Sequence, residues 1–299
     1  RFDEYQTMSI PGSFSVPGAE LALRARELAP DPKTQIIVNC AGRTRSIIGT
    51  QSLINAGIPN PVAALRNGTI GWTLARQKLE HGQSRTYPPA SESNRLAAAG
   101  DARSLADHAG VRRLDRAGLD ALKADASRTI YLFDVRAPAE FRDGRLPGFR
   151  SAPGGQLVQE TDHFAPVRGA RIVLADSDGV RANLTAHWLA QMNHEVYVID
   201  GLQAADFNLT EAWADQLPPQ PEVREIGADT LAQWLADAPQ DTVLLDFTSG
   251  VNYKKRHIPG AWFALRSELP AVVAKLAPGA KRYVLTCGSS LLARYVVAD

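Results

Sequence analysis

The sequence predicts an α/β protein of tandem domains, each a parallel β-sheet flanked by helices. Two observations carry this: one residue pattern occurs three times along 299 residues, and its complete copy alternates short β-branched segments with helical ones. Glu4-Tyr5, Ile10-Pro11-Gly12, Pro17-Gly18, Leu21 and Ile36 through Cys40 recur 136 positions later as Glu140-Phe141, Leu146-Pro147-Gly148, Pro153-Gly154, Leu157 and Ile172 through Asp176. A third copy follows at offset 112, with Asn252-Tyr253 and Ile258-Pro259-Gly260, while Cys287 answers Asp176 at offset 111. One residue has been lost between those two points.

In the second copy Val111 to Leu114 reads as a short strand, Arg116 to Ala124 as a helix, and Thr129 to Val135 as a buried strand rich in β-branched and aromatic residues. A Leu-Pro-Gly turn follows, then a strand at Arg171 to Ala175, a helix around Ala182 to Met192 and a strand at Val196 to Asp200. Strands alternating with helices form parallel sheets whose sites lie at the strands' carboxyl ends. Cys40, Asp176 and Cys287 all stand at such an end.

These patterns divide the chain into a first domain at 1–82, a linker at 83–110 with one helical turn, a second domain at 111–218 and a third at 219–299. Leu217-Pro218-Pro219-Gln220-Pro221 reads as a stiff hinge. The first copy starts at the residue equivalent to Arg136, without a strand matching Leu132-Phe133-Asp134, and the third stops before a strand matching Val196 to Asp200. The sequence is therefore expected to be a segment of a longer chain.

Lys and Arg total 33 against 32 acidic residues, so no global charge excess points to nucleic acid or a membrane surface as partner. No apolar run approaches the ~20 residues of a membrane helix. Two cysteines without ligand spacing argue for neither a disulfide framework nor a zinc site, and a reducing, cytoplasmic setting follows. His163, His187 and His194 show no metal spacing either, and His257 lies in a turn that the other copies build without histidine.

The chemistry concentrates in Cys40-Ala41-Gly42-Arg43-Thr44-Arg45-Ser46, where a buried strand delivers a cysteine to a short turn that opens a helix. Amides of such a turn and of the helix start converge and favour negative charge. Arg43 and Arg45 add positive charge, so Cys40 is expected to have a depressed thiol pKa and act as a nucleophile, with Ala41 through Ser46 holding an anionic substrate. The plain alternative is a small buried hydrophobe.

The set formed by Asp134-Val135-Arg136, Glu140-Phe141, Leu146-Pro147-Gly148, the Cys40 to Ser46 turn and Asn67-Gly68-Thr69-Ile70-Gly71-Trp72 resembles the rhodanese signature. The resemblance implies a five-stranded parallel sheet per domain and a Cys40 persulfide, formed with sulfane sulfur from thiosulfate or another small anionic donor and passed to cyanide or a thiol acceptor. No metal or organic cofactor is implied. The same fold carries phosphatases and arsenate reductases, whose gripping arginine follows the cysteine by six positions; here Arg45 follows by five and position six is Ser46. A different class of reading is a carrier or docking protein that delivers sulfur without turnover.

The second copy replaces the nucleophile with Asp176, in a turn that also holds Asp178 and Arg181. Carboxylates there repel anions, so this copy is expected to be inactive, or to use Asp176 as an internal anion that fills the amide cradle. The third copy keeps Cys287 as a second candidate nucleophile, with no basic residue until Arg294. Glu4, Glu140 and Arg136 are expected to form ion pairs that orient the loops, and Arg112 to Arg116 to be a solvated face.

Overall fold

Three runs of strand and helix follow one another in the computed structural model, which describes residues 1–214, 217–276 and 279–299. The first copy holds α1 (Phe2–Thr7), α2 (Leu21–Leu28), β1 (Ile36–Val38), α3 (Thr44–Asn55), β2 (Val62–Ala64) and α4 (Gly68–Leu74). After α5 (Glu92–His108) come β3 (Arg112–Leu114), α6 (Arg116–Ala124), β4 (Ile130–Asp134), α7 (Pro138–Asp143), β5 (Arg150–Ser151) and α8 (Gly154–Gln159). The second copy ends with α9 (Thr161–Phe164), β6 (Arg171–Ala175), α10 (Arg181–Gln191) and β7 (Glu195–Ile199). The third holds α11 (Ala228–Asp237), β8 (Thr242–Asp246), α12 (Gly250–Lys255), β9 (Trp262–Phe263), α13 (Leu269–Leu276), β10 (Arg282–Thr286) and α14 (Leu291–Val297). Residues Arg1–Trp213 form one compact unit and Ala214–Asp299 another.

The second copy supplies the complete frame: five parallel strands in the order β3-β7-β6-β4-β5. Parallel strands are covered on both faces, which is why β6 and β7 read as continuous apolar runs. Period-two alternation divides their side chains between two cores. Ile172, Leu174, Val196 and Val198 pack with Ala182, Ala186 and Leu189 of α10, while Val173, Ala175, Tyr197 and Ile199 face Leu119 and Leu122 of α6. The first copy has the parallel pair β1-β2, and the third a parallel sheet of order β10-β8-β9.

The 83–110 stretch departs from its reading as a linker with one helical turn. It holds the 17-residue helix α5, started by the Ser91 hydroxyl, which accepts from the Asn94 amide at 3.4 Å. Its Ala98, Ala102 and Ala106, four apart and thus on one face, are at most 2% exposed. Ala98 and Ala102 pack among Ala22, Leu53 and Leu184, so α5 is wedged between the first copy and α10 of the second. Alanine, serine and asparagine give this segment a linker's composition. Here the small side chains serve close helix packing, a tertiary effect that composition does not show. The Arg112 to Arg116 face is also less free than expected, since Arg112 pairs with Glu195, Arg113 with Asp107 and Arg116 with Asp206.

If α5 belongs to the core of Arg1–Trp213, Ala102→Asp should lower unfolding stability by about 3 kcal/mol or more, because it buries an unpaired carboxylate. Ala97→Asp, on the exposed side, should change it by less than about 0.5 kcal/mol. Denaturant midpoints of the two variants check this, and equal midpoints would return the segment to a linker.

Candidate functional site

Cys40 stands just past β1, and its turn opens α3. The sulfur lies 3.5 Å from Ser46 Oγ, whose own proton goes to the Arg43 carbonyl at 2.9 Å. Rotating that hydroxyl gives a thiolate one more donor. Partial burial pushes the thiol up, but the hydroxyl and amide of Ser46, the Gly42 amide and the Arg45 charge outweigh it and hold Cys40 below its ordinary value.

Two neighbouring segments hold the turn in place. Thr69 N–H donates to the Cys40 carbonyl at 3.0 Å and Ile70 N–H to the Ala41 carbonyl at 3.1 Å, so the start of α4 is pinned to the cysteine turn. Gly68 is required between them: its φ is +53°, and a Cβ there would stand 1.8 Å from the Cys40 carbonyl oxygen. On the other side Arg45 forms an ion pair with Glu4 of α1. Among the described residues the exposed side chains of Arg43 and Thr44 form no hydrogen bond or ion pair, and within Ala41 to Ser46 the groups that lower the thiol are the Gly42 amide, Arg45 and Ser46. The sequence showed the Asn67 to Trp72 segment only as part of the family signature; its role as a clamp depends on a contact across 28 residues.

The second copy fills the same turn from within. Gly179 and Ala182 amides donate to the two Asp176 carboxyl oxygens at 3.0 and 2.7 Å. The Asp176 carboxyl group thus fills the amide cradle, as expected of an internal group, but its surroundings favour the protonated form over the expected anion. Burial and the adjacent Asp178 carboxylate push Asp176 up to about 8, favouring its protonated form. Asp178, buried but held low by Arg181 and the amides of Val180 and Arg181, remains charged. Arg181 is 3% exposed and joins Asp178 at 2.5 Å, Glu20 at 2.7 Å and Glu140 at 2.9 Å. Arg136, expected in an ion pair, makes one with buried Asp134 at 2.6 Å.

The third copy keeps the amides and lacks the cation. The Ala293 amide reaches Cys287 Sγ at 3.5 Å, and Arg294 is engaged with Glu225. Partial burial raises this thiol, while the amides of Ala293, Ser289 and Leu292 and the Ser289 hydroxyl bring it below its ordinary value. His257 stacks on Tyr253 with ring centroids 3.9 Å apart, a structural contact.

Two measurements test these electrostatics. The pH profile of Cys40 alkylation by iodoacetamide should have its midpoint below the ~8.5 of an unperturbed cysteine, and Ser46→Ala should move it upward; a midpoint at or above that value contradicts the amide and hydroxyl cluster. For Asp176 the folded value lies above the unfolded one, so its contribution to stability is complete below about 4 and is lost as pH rises through about 8. Asp176→Asn should flatten that decline in the melting temperature of the Arg1–Trp213 unit, and an unchanged slope would exclude the buried proton.

A rhodanese-like domain model matches residues 1–75 and 116–201. Among solved structures, a thiosulfate sulfurtransferase from Pseudomonas aeruginosa is 65% identical with a TM-score of 0.81 across 100% of this chain, which spans 56% of that protein. A 3-mercaptopyruvate sulfotransferase, SseA from Escherichia coli, is 19% identical over 67% of this chain and 84% of its own, with a TM-score of 0.29. A protein of unknown function from Rhodopseudomonas palustris, described as a possible tyrosine phosphatase, is 23% identical over 40% of this chain and 92% of its own, with a TM-score of 0.30. No curated protein compared with the chain matches it. The matched residues include β4 to β7 of the parallel sheet and the cysteine and aspartate turns, and on them the chain belongs to the rhodanese-like family.

Proposed function

We propose that the protein is a sulfurtransferase of the thiosulfate type whose nucleophile is Cys40. The observation that carries this reading is the sulfur of Cys40 held below its ordinary pKa by the Ser46 hydroxyl and amide, the Gly42 amide and Arg45. The name of the Pseudomonas aeruginosa relative supports it. In the first step the Cys40 thiolate attacks the outer sulfur of thiosulfate. A sulfur–sulfur bond forms to Cys40, the bond inside thiosulfate breaks, and its electron pair leaves with sulfite. The persulfide so formed ends in an anionic sulfur, which the same amides stabilise.

Arg43, exposed and without an ion pair among the described residues, is the cation left to meet the incoming dianion, whereas Arg45 is shared with Glu4. In the second step cyanide or a thiol attacks the terminal sulfur, and the Cys40 thiolate returns. Nucleophile, oxyanion support and leaving group are all accounted for without a metal or organic cofactor. A five-residue interval from Cys40 to Arg45 gives a turn narrower than a phosphatase cradle, which favours sulfur over phosphoryl chemistry. Both cysteines are free thiols, and this reading places the protein in a reducing, cytoplasmic compartment. Cys287 is the second candidate site, suited by its uncharged amide cradle to a less anionic donor.

With thiosulfate and cyanide, the protein should release sulfite and thiocyanate in equal amounts. Cys40→Ser should lose at least about 100-fold of that rate, and Cys287→Ser should retain most of it. Absence of turnover in the unaltered protein removes the enzyme reading in favour of a carrier, and turnover that survives Cys40→Ser moves the nucleophile elsewhere.

A further inference from the structure

We propose that the cavity between the first and second copies, which shares Arg45 with the Cys40 turn, is a binding site for a small apolar molecule carrying one anionic group. The cavity has a volume of about 560 Å³, within the range of small-molecule sites. Neither Cys40 nor Asp176 lines it.

Its walls come from equivalent positions of the repeat, Ile48 and Gly49 facing Leu184 and Thr185, with Trp188 where the first copy has Ser52. The Trp188 indole N–H donates to the Ser52 hydroxyl at 2.8 Å, so the indole is fixed and turns apolar surface to the cavity. Two large apolar faces therefore meet around a space they do not fill.

The polar groups decide what kind of ligand fits. Arg1, Arg45, Arg136 and Arg142 line the cavity against the two carboxylates Asp3 and Glu20, a positive balance. Most of these charges are already matched: Arg45 by Glu4, Arg136 by Asp134, and Glu20 by Arg24 and Arg181. Arg1 has Glu160 at 3.6 Å. Arg142, in the last turn of α7, forms no ion pair or hydrogen bond among the described residues, and it shares the helix face of Pro138, which also lines the cavity. The Tyr87 hydroxyl is likewise without a hydrogen-bond partner among the described residues and, pushed up to about 12 by burial, stays a donor. A free guanidinium and a phenol at the edge of an apolar space suit a carboxylate or sulfonate on an aromatic or aliphatic body.

The probe is 8-anilinonaphthalene-1-sulfonate, with neutral N-phenyl-1-naphthylamine as its uncharged counterpart. One equivalent of the sulfonate should bind per folded chain and quench tryptophan emission. Arg142→Ala should weaken that binding about 10-fold or more, as expected for loss of a hydrogen bond to a charged group, and leave the neutral probe unchanged. Ala139→Trp, on the exposed face of α7 beside the cavity, should abolish binding of both. Both positions are exposed, and melting temperatures equal to that of the unaltered protein confirm folding. Saturable binding that neither variant changes, or no saturable binding at all, overturns the proposal.

Discussion

A strand that ends in a turn of inward-pointing amides must have a hydrogen-bond acceptor at the turn's centre, and the rest of each copy is arranged around that demand. Unpaired buried N–H groups cost about 1–3 kcal/mol each, so an empty cradle is not a stable option. The first and third copies answer with a sulfur whose ionisation the amides favour, and the second with a carboxyl group that accepts from Gly179 and Ala182. Chemistry and stability thus use the same geometry. A sulfur leaves the cradle partly open and reactive, whereas Asp176 is buried and spends its acceptors on the turn.

The arginine five residues on shows how the same position serves two ends. Arg45 and Arg181 occupy equivalent places, and each reaches the equivalent glutamate, Glu4 or Glu140, on the short helix of its own copy. In the first copy the pair stays partly exposed, where an ion pair contributes little stability but fixes direction. In the second Arg181 is buried and also spans to Glu20 of the first copy. A buried guanidinium is tolerated only when fully satisfied, and Asp178, Glu20 and Glu140 together do this. Loss of the sulfur site in the second copy therefore goes with a gain of cross-copy structure.

Much of this was legible because the repeat compares three answers to one backbone problem. Offsets of 136 and 112 residues identify β1 with β6 and β8 with β4, and the strand alternation around Phe133 and Leu174 shows which segments are covered on both faces. The turn from Cys40 to Ser46 was readable since strand, amides and helix start are local. What stayed hidden depends on distant contacts. No local pattern shows that Gly68 backs onto the Cys40 carbonyl, that Glu4 takes up Arg45, or that the alanines of α5 are a packing face.

The clamp at Gly68 shows that the two turns of the Arg1–Trp213 unit are held in different ways. In the first copy a glycine with φ of +53° lets α4 approach until two of its amides bind the backbone of Cys40 and Ala41, so the sulfur's position is set from outside the turn. In the second, none of the described residues after β7 donates a backbone amide to the carbonyl of Asp176 or Ser177. No such clamp is needed there, because the carboxyl group of Asp176 is itself the anchor and ties the turn together through its own two oxygens. A thiolate cannot do this: one weakly accepting sulfur cannot order a six-residue turn and remain available to attack. External fixation of the backbone is thus the physical requirement of the reactive version, and it sits in the short segment from Asn67 to Ile70, away from the residues that do chemistry.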